Sequence, residues 1–259
     1  MVRREKANYA IQSVSHALDV LEQFTRNEGE IGVTELSKKL KLHKNNIFRL
    51  LATLEARDYI EQNKTTENYR LGLKCLQLGQ TYINQTGFVV QAKATLRELA
   101  KAANESCYVA VRKGAAIIPL DFVEPQSPVR VVSLLGLALP LHCTAPGKVY
   151  LAFDSGEGSG RSLPEKLERH TDKTIVERDA LLRQLKEVSA AGYAVDNGEF
   201  MAEVISVAVP IHDSTRNLVG SLAIAGPAPR LTKERIEKEV APLILSEGSR
   251  LSSRLGYQR

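Results

Sequence analysis

Cysteine is scarce. The 259 residues hold three, Cys75, Cys107 and Cys143. An odd number without CxxC spacing argues against a disulfide framework and against a zinc site, and leaves free thiols in a reducing compartment as the expectation. No apolar run approaches the roughly eighteen residues of a membrane span. Met1-Val2-Arg3-Arg4-Glu5-Lys6 is basic but no apolar core follows it, so export is not expected. Asn63-Lys64-Thr65, Asn84-Gln85-Thr86 and Asn104-Glu105-Ser106 are then chance matches to the glycosylation pattern. Internal repeats are lacking. Between Lys113 and Gly226 there is no nucleophile–base or metal constellation, so no enzymatic activity, metal or cofactor is expected. Gly147-Lys148 is not a phosphate-binding loop, because His142 stands where glycine and Val149 where Ser or Thr would be needed. His142-Cys143 reads as two neighbours on a strand, pointing to opposite faces, which excludes a catalytic dyad.

Apolar residues make up 43% and charged residues 25%, as in a soluble globular protein of two domains, each long enough for a core. The net charge is +5. Residues 1–74 carry 13 basic and 10 acidic side chains, so the excess leans only weakly to that end. A local absence says more. No acidic residue lies between Glu35 and Glu55, a window that holds Lys38, Lys39, Lys41, Lys44 and Arg49.

Within that window Ile47, Leu50, Leu51 and Leu54 fall at i, i+3, i+4 and i+7, one face of a helix. At roughly 100° per residue the opposite face carries Asn45, Arg49 and Ala52, flanked by Asn46 and Phe48. Thr34, Glu35, Leu36 and Leu40 supply an N-cap, an acidic first turn and the stripe of a preceding helix. A break at Lys41 to Lys44 gives helix-turn-helix spacing, in which the second helix enters the major groove. Asn reads adenine, Arg reads guanine and Lys neutralises phosphate. Tyr59 to Gln62 and Asn68 to Leu71 are short β-prone runs around the polar turn Asn63 to Glu67, which makes the motif winged. The expected DNA-facing set is Lys44, Asn45, Asn46, Phe48, Arg49, Thr53 and Lys64. Arg3, Arg4 and Lys6 form a basic arm that could reach phosphates. A partner helix starts at a Ser13 cap and ends at Asn27-Glu28-Gly29.

The rest of the chain mixes elements. Residues 73–104 read as two helices broken near Thr86-Gly87. Cys107–Val111 and Ile117–Val123 are strands around Lys113-Gly114. Val129–Leu134 and Leu139–Cys143 are candidate strands. A helix runs from about Pro146 to Phe153 after a Thr144 cap, and residues 154–160 are a loop by composition. Another helix, Arg178–Ala191, ends at Gly192. Tyr193–Asp196, Ile205–Ile211 and Leu218–Ile224 are further strands, and Thr232 opens a last helix with a possible break at Pro242. Strands and helices without βαβ regularity make the fold class α+β.

Several segments together resemble IclR-family bacterial transcription regulators. They are Ser13-Val14 with His16-Ala17-Leu18, Thr34-Glu35-Leu36, Arg49 to Leu54, Tyr59-Ile60 and Tyr69-Arg70-Leu71-Gly72, then Leu139 to Lys148, Gly192 to Glu199, Ile205 to Pro210 and Ser221 to Pro227. The resemblance covers nearly the whole chain. It implies an N-terminal winged helix-turn-helix domain at 1–74, a helical linker at 75–104 and a C-terminal GAF-like effector-binding domain at 105–259. It departs at Asn45 and Asn46, where the family usually has small hydroxyl residues, and at Gly198, Ser206, Ala223 and Ala225, where it often has Glu, Cys and two serines. Mapped by position, it implies Val131, Thr144, Ala145, Pro146, Asp196, Ser206, Ala223 and Ala225 as effector contacts. A helix start suits an anion, and the missing hydroxyls leave an apolar wall. The expected effector is an organic acid with an apolar body, although an ionised Asp196 would repel one. Expected partners are a double-stranded DNA operator and a second copy, as a homodimer or dimer of dimers, with no membrane. The expected location is cytoplasmic and nucleoid-associated. The alternative is a ligand-sensing module that acts through protein partners without DNA binding.

Overall fold

The computed structural model describes residues 10–24, 29–154 and 163–258. The arm at Arg3, Arg4 and Lys6, the helix end at Asn27-Glu28 and most of the loop at 154–160 lie outside them. The chain divides into two compact units, Met1–Gln85 and Thr86–Arg259.

The first unit holds α1 (Gln12–Gln23), α2 (Val33–Leu40), α3 (Lys44–Glu55), the hairpin β1 (Ile60–Gln62) and β2 (Tyr69–Leu71), and α4 (Leu73–Gln85). Val20, Phe24, Ile31, Leu36, Ile47, Leu51, Leu54, Ile60 and Tyr69 form its core. Three local expectations are corrected. The helices do not start on their expected caps: Ser13 and Thr34 lie inside α1 and α2, whose N-caps are Ile11 and Gly32. Ile31 bridges to Tyr69, which keeps the chain extended up to Gly32, and a Cβ on Gly32 would sit 2.7 Å from Asn68 Oδ1. The α2–α3 turn is Lys41 to His43, closed by a left-handed Lys41 (φ 55), so Lys44 is already helical.

The second unit holds α5 (Gly87–Ala103), β3 (Ser106–Lys113), β4 (Ala116–Val123), β5 (Leu139–Pro140), α6 (Ala145–Phe153), α7 (Arg178–Ala191), β6 (Ala194–Asn197), β7 (Val204–His212) and β8 (Leu218–Pro227). It ends with α8 (Lys233–Arg235), a π-helical turn Ile236–Val240 and α9 (Ala241–Arg254). The six strands run β5-β4-β3-β8-β7-β6, antiparallel throughout. One sheet face packs α6 and α7 through Tyr108, Ala110, Ala145, Val149, Leu181 and Ala208. The other takes α5 and α9, as Phe88 against Gly220 and Gly248 against Val209 show. Thr232 and Gly192 cap as expected: Thr232 Oγ1 accepts from Arg235 N, and Gly192 ends α7 at φ 81.

Val129–Leu134 is not a strand. The free edge of β4 is occupied by Leu139 and Pro140, and Val129 and Val132 are more than 60% exposed. Without a neighbour to share their hydrogen bonds, β-branched residues alone do not make a strand. The fifth strand stops at Pro140, so His142 and Cys143 sit in a turn and do not alternate.

Candidate functional site

The first unit presents α3 as the sequence pattern demands. Ile47, Leu51 and Leu54 are buried. Lys44, Asn45, Asn46, Phe48, Arg49, Ala52 and Thr53 are all exposed, and Phe48 is 58% exposed. Asn46, Arg49 and Thr53 line a groove of about 490 Å³ together with Gln12, Ser13 and His16 of α1. Thr53 Oγ1 donates to its own helix at Arg49 O (2.8 Å), so its hydroxyl is committed inward. Lys64 is exposed in the hairpin turn. That turn is built by Asn63 Oδ1, which accepts from Thr65 N at 2.9 Å, and is anchored by Glu30, which accepts from Asn63 Nδ2 and Thr66 Oγ1. The anchor is charged: these two hydrogen bonds hold the Glu30 carboxyl below its usual range. A helix with an apolar back and an amide-and-guanidinium front, followed by a hairpin that exposes Lys64, is chemically suited to a DNA groove.

In the second unit the sheet register does the assembling. Ser106 pairs with Ala225, Ala225 with Ser206, and Ser206 with Asp196. One step along, Tyr108 pairs with Ala223, Ala223 with Ala208, and Ala208 with Ala194. Directly paired residues share a face. Four of the eight expected effector residues, Asp196, Ser206, Ala223 and Ala225, therefore form one buried patch of small side chains and a carboxyl across β8, β7 and β6. Ser106 Oγ donates to Val131 O (2.7 Å), which pins Val131 beside that patch although Val131 is in no strand. Tyr108, to which the sequence reading gave no role, lies on this same face beside Ala223. Its ring stacks on Phe122 at 5.4 Å, and burial raises its pKa. The only signal in the sequence is the period-two spacing of Tyr108 with Ala110.

Above the sheet is the start of α6. Thr144 Oγ1 accepts from Gly147 N at 3.2 Å and donates to Pro140 O at 2.6 Å. Pro146 has no N–H, so of the first three helical residues only Ala145 offers an amide without a partner among the described residues. A Cβ on Gly147 would stand 2.1 Å from Leu141 O, so the turn into this helix admits only glycine. Lys148 and Glu199, which carried no role in the sequence reading, form a buried ion pair with Lys148 Nζ also donating to Val195 O (3.0 Å). Gly198 is left-handed (φ 77), and a Cβ there would meet Ala202 O at 2.8 Å, which accounts for glycine at that position.

Asp196 is 4% exposed, and burial raises its pKa to about 7 against the opposing hydrogen bond from Glu199 N. The folded protein thus keeps a proton that the unfolded chain releases near pH 4. The resulting stabilisation is complete below about pH 4 and disappears as pH rises through about 7. Asp196→Asn is expected to flatten that slope when melting temperature is followed from pH 5 to 8. An unchanged difference between variant and parent across that range would contradict the raised pKa.

A winged helix-turn-helix unit with a separate α+β unit defines a class: a DNA-binding regulator carrying its own second domain. Two family models match: "IclR helix-turn-helix domain" over residues 13–64 and "Bacterial transcriptional regulator IclR C-terminal" over residues 80–253. The chain belongs to the IclR family of bacterial transcriptional regulators. It is 31% identical over 252 residues to the HTH-type transcriptional regulator XynR of Escherichia coli, covering 95% of this chain and 98% of XynR. It is 29% identical over 254 residues to the regulator KdgR of the same organism, covering 98% and 96%. The crystal structure of the Thermotoga maritima IclR superimposes with a TM-score of 0.77 at 27% identity, covering 96% of this chain and all of the other. These relatives are transcription regulators, and the second unit has the GAF-like architecture that the resemblance implied. Among the described residues no helix is long and apolar enough to cross a membrane.

Proposed function

We propose that this regulator reads a palindromic operator through Lys44, Asn45, Asn46, Phe48, Arg49, Thr53 and Lys64, as a cytoplasmic, nucleoid-associated homodimer or dimer of dimers. Residues 1–74 bind DNA, 75–104 link, and 105–259 bind a small organic acid through Val131, Thr144, Ala145, Pro146, Asp196, Ser206, Ala223 and Ala225. One recognition helix covers a half-site, which is why two copies are needed. The observation that carries the effector assignment is the cross-strand row Ala225–Ser206–Asp196, floored by alanines and faced by the α6 start.

Ala223 and Ala225 make that floor apolar, which favours an acid with an aromatic or longer aliphatic body over a two- or three-carbon oxoacid. A buried Asp196 that holds its proton near neutral pH accepts such an acid as a hydrogen-bond donor instead of repelling it. Effector and DNA are coupled only if the effector binds two conformations unequally.

The test is binding of the purified protein to DNA upstream of its own gene, across a salt series, with and without a panel of carboxylic acids. Selective binding with a steep salt slope, shifted by aromatic or long-chain acids, is expected. Equal weak binding to unrelated DNA at every salt concentration, with any acid, would refute the operator reading. A preference for the smallest oxoacids would refute the apolar-floor reading.

A further inference from the structure

The turn between β5 and α6 and the segment before α7 bring together three side chains that the sequence keeps apart. The ligand atoms of His142, Cys143 and His170 all lie within 4.8 Å of one another, the only such group of three His, Cys, Asp or Glu residues among the described residues. His142 and Cys143 are buried, and His170 is exposed.

The buried imidazole is oriented for a cation. Nε2 of His142 is 2.8 Å from Glu168 O. A carbonyl only accepts, so in the neutral ring Nε2 carries the hydrogen and the lone pair is on Nδ1. A backbone bond of this kind fixes the tautomer and the ring plane of metal-binding histidines. Packed around the trio, His170 stacks edge-on against Phe200 at 5.3 Å and lies 5.8 Å from the His142 ring, so the exposed ring is held near the buried pair.

We infer that His142, Cys143 and His170 are a three-ligand site for a zinc-class divalent ion, with one coordination position open. One thiolate and two imidazoles suit borderline ions such as zinc or cobalt, whereas magnesium and calcium require oxygen. Binding forms a metal–sulfur bond and releases the Cys143 proton to water, one proton per ion. The exposed His170 provides the entry path. The site needs only these three residues and stands whether or not the neighbouring pocket takes an organic acid.

The experiment uses the full chain, stripped with a chelator and titrated with cobalt(II) alone. One ion per chain is expected, with thiolate-to-cobalt charge-transfer absorption, tetrahedral visible bands and colour lost on adding zinc. Cys143→Ser should abolish the charge-transfer band, and Cys75→Ala should keep it. Because Cys143 is buried and its variant can misfold, His170→Ala is the second arm. It changes an exposed side chain and should weaken cobalt binding at least about tenfold while melting as the parent does. No uptake at micromolar cobalt, a charge-transfer band that survives Cys143→Ser in a folded variant, or unchanged affinity in His170→Ala would each overturn the site.

Discussion

Lys148→Met is expected to cost the second unit about 3–5 kcal/mol, the usual result of breaking a buried pair on one side only. Lys148 is fully buried and its carboxylate partner, Glu199, is 5% exposed at the side chain, so solvent screens neither. Methionine fills the volume but supplies no charge. Glu199 Oε2 already lacks a hydrogen-bond partner among the described residues, so after the substitution its carboxyl must take up a proton or stay charged in an apolar setting. For a unit of this size the loss corresponds to a melting temperature lower by about 6–20 °C. Lys148→Met with Glu199→Leu should recover most of that, because replacing both partners leaves no orphaned charge. If the single variant melts within a degree or two of the parent, or the double variant falls further, the ion pair is not what holds β6 to α6.

Arg49→Ala is expected to weaken operator binding by about 1–3 kcal/mol, roughly 5–150-fold, and to relax specificity at one base pair. The guanidinium lies on the exposed front of α3 and forms no hydrogen bond or ion pair among the described residues, so it is free to fork onto a guanine. Its removal should leave folding intact, since the core of this unit is formed by Ile47, Leu51 and Leu54 on the opposite side. Lys64→Ala offers the contrast. A phosphate contact from the wing should weaken binding evenly across sequences and reduce the salt slope by about one. Should Arg49→Ala bind its operator as the parent does, while remaining folded, the recognition helix is not oriented as proposed.

The DNA-binding unit was legible because its information is local. A stripe at i, i+3, i+4 and i+7 and an acid-free basic window specify a two-sided helix before any tertiary contact exists, and α3 buries Ile47 and exposes Arg49 accordingly. Caps were less legible. Ser13 and Thr34 are good capping residues by type, yet long-range pairing of Ile31 with Tyr69 decides where α2 begins.

The chain's own pattern determined the recognition helix, the hairpin after it, the Thr144 and Thr232 helix starts and the positions of most strands along the chain, since all of these depend on neighbours a few residues apart. The tertiary structure alone decided which residues meet. Asp196, Ser206, Ala225 and Ser106 share a face only because three strand registers align them. Lys148 finds Glu199 across 51 positions, and His170 finds His142 across 28. Register and packing are properties of the whole sheet, and no local spacing in the sequence encodes them.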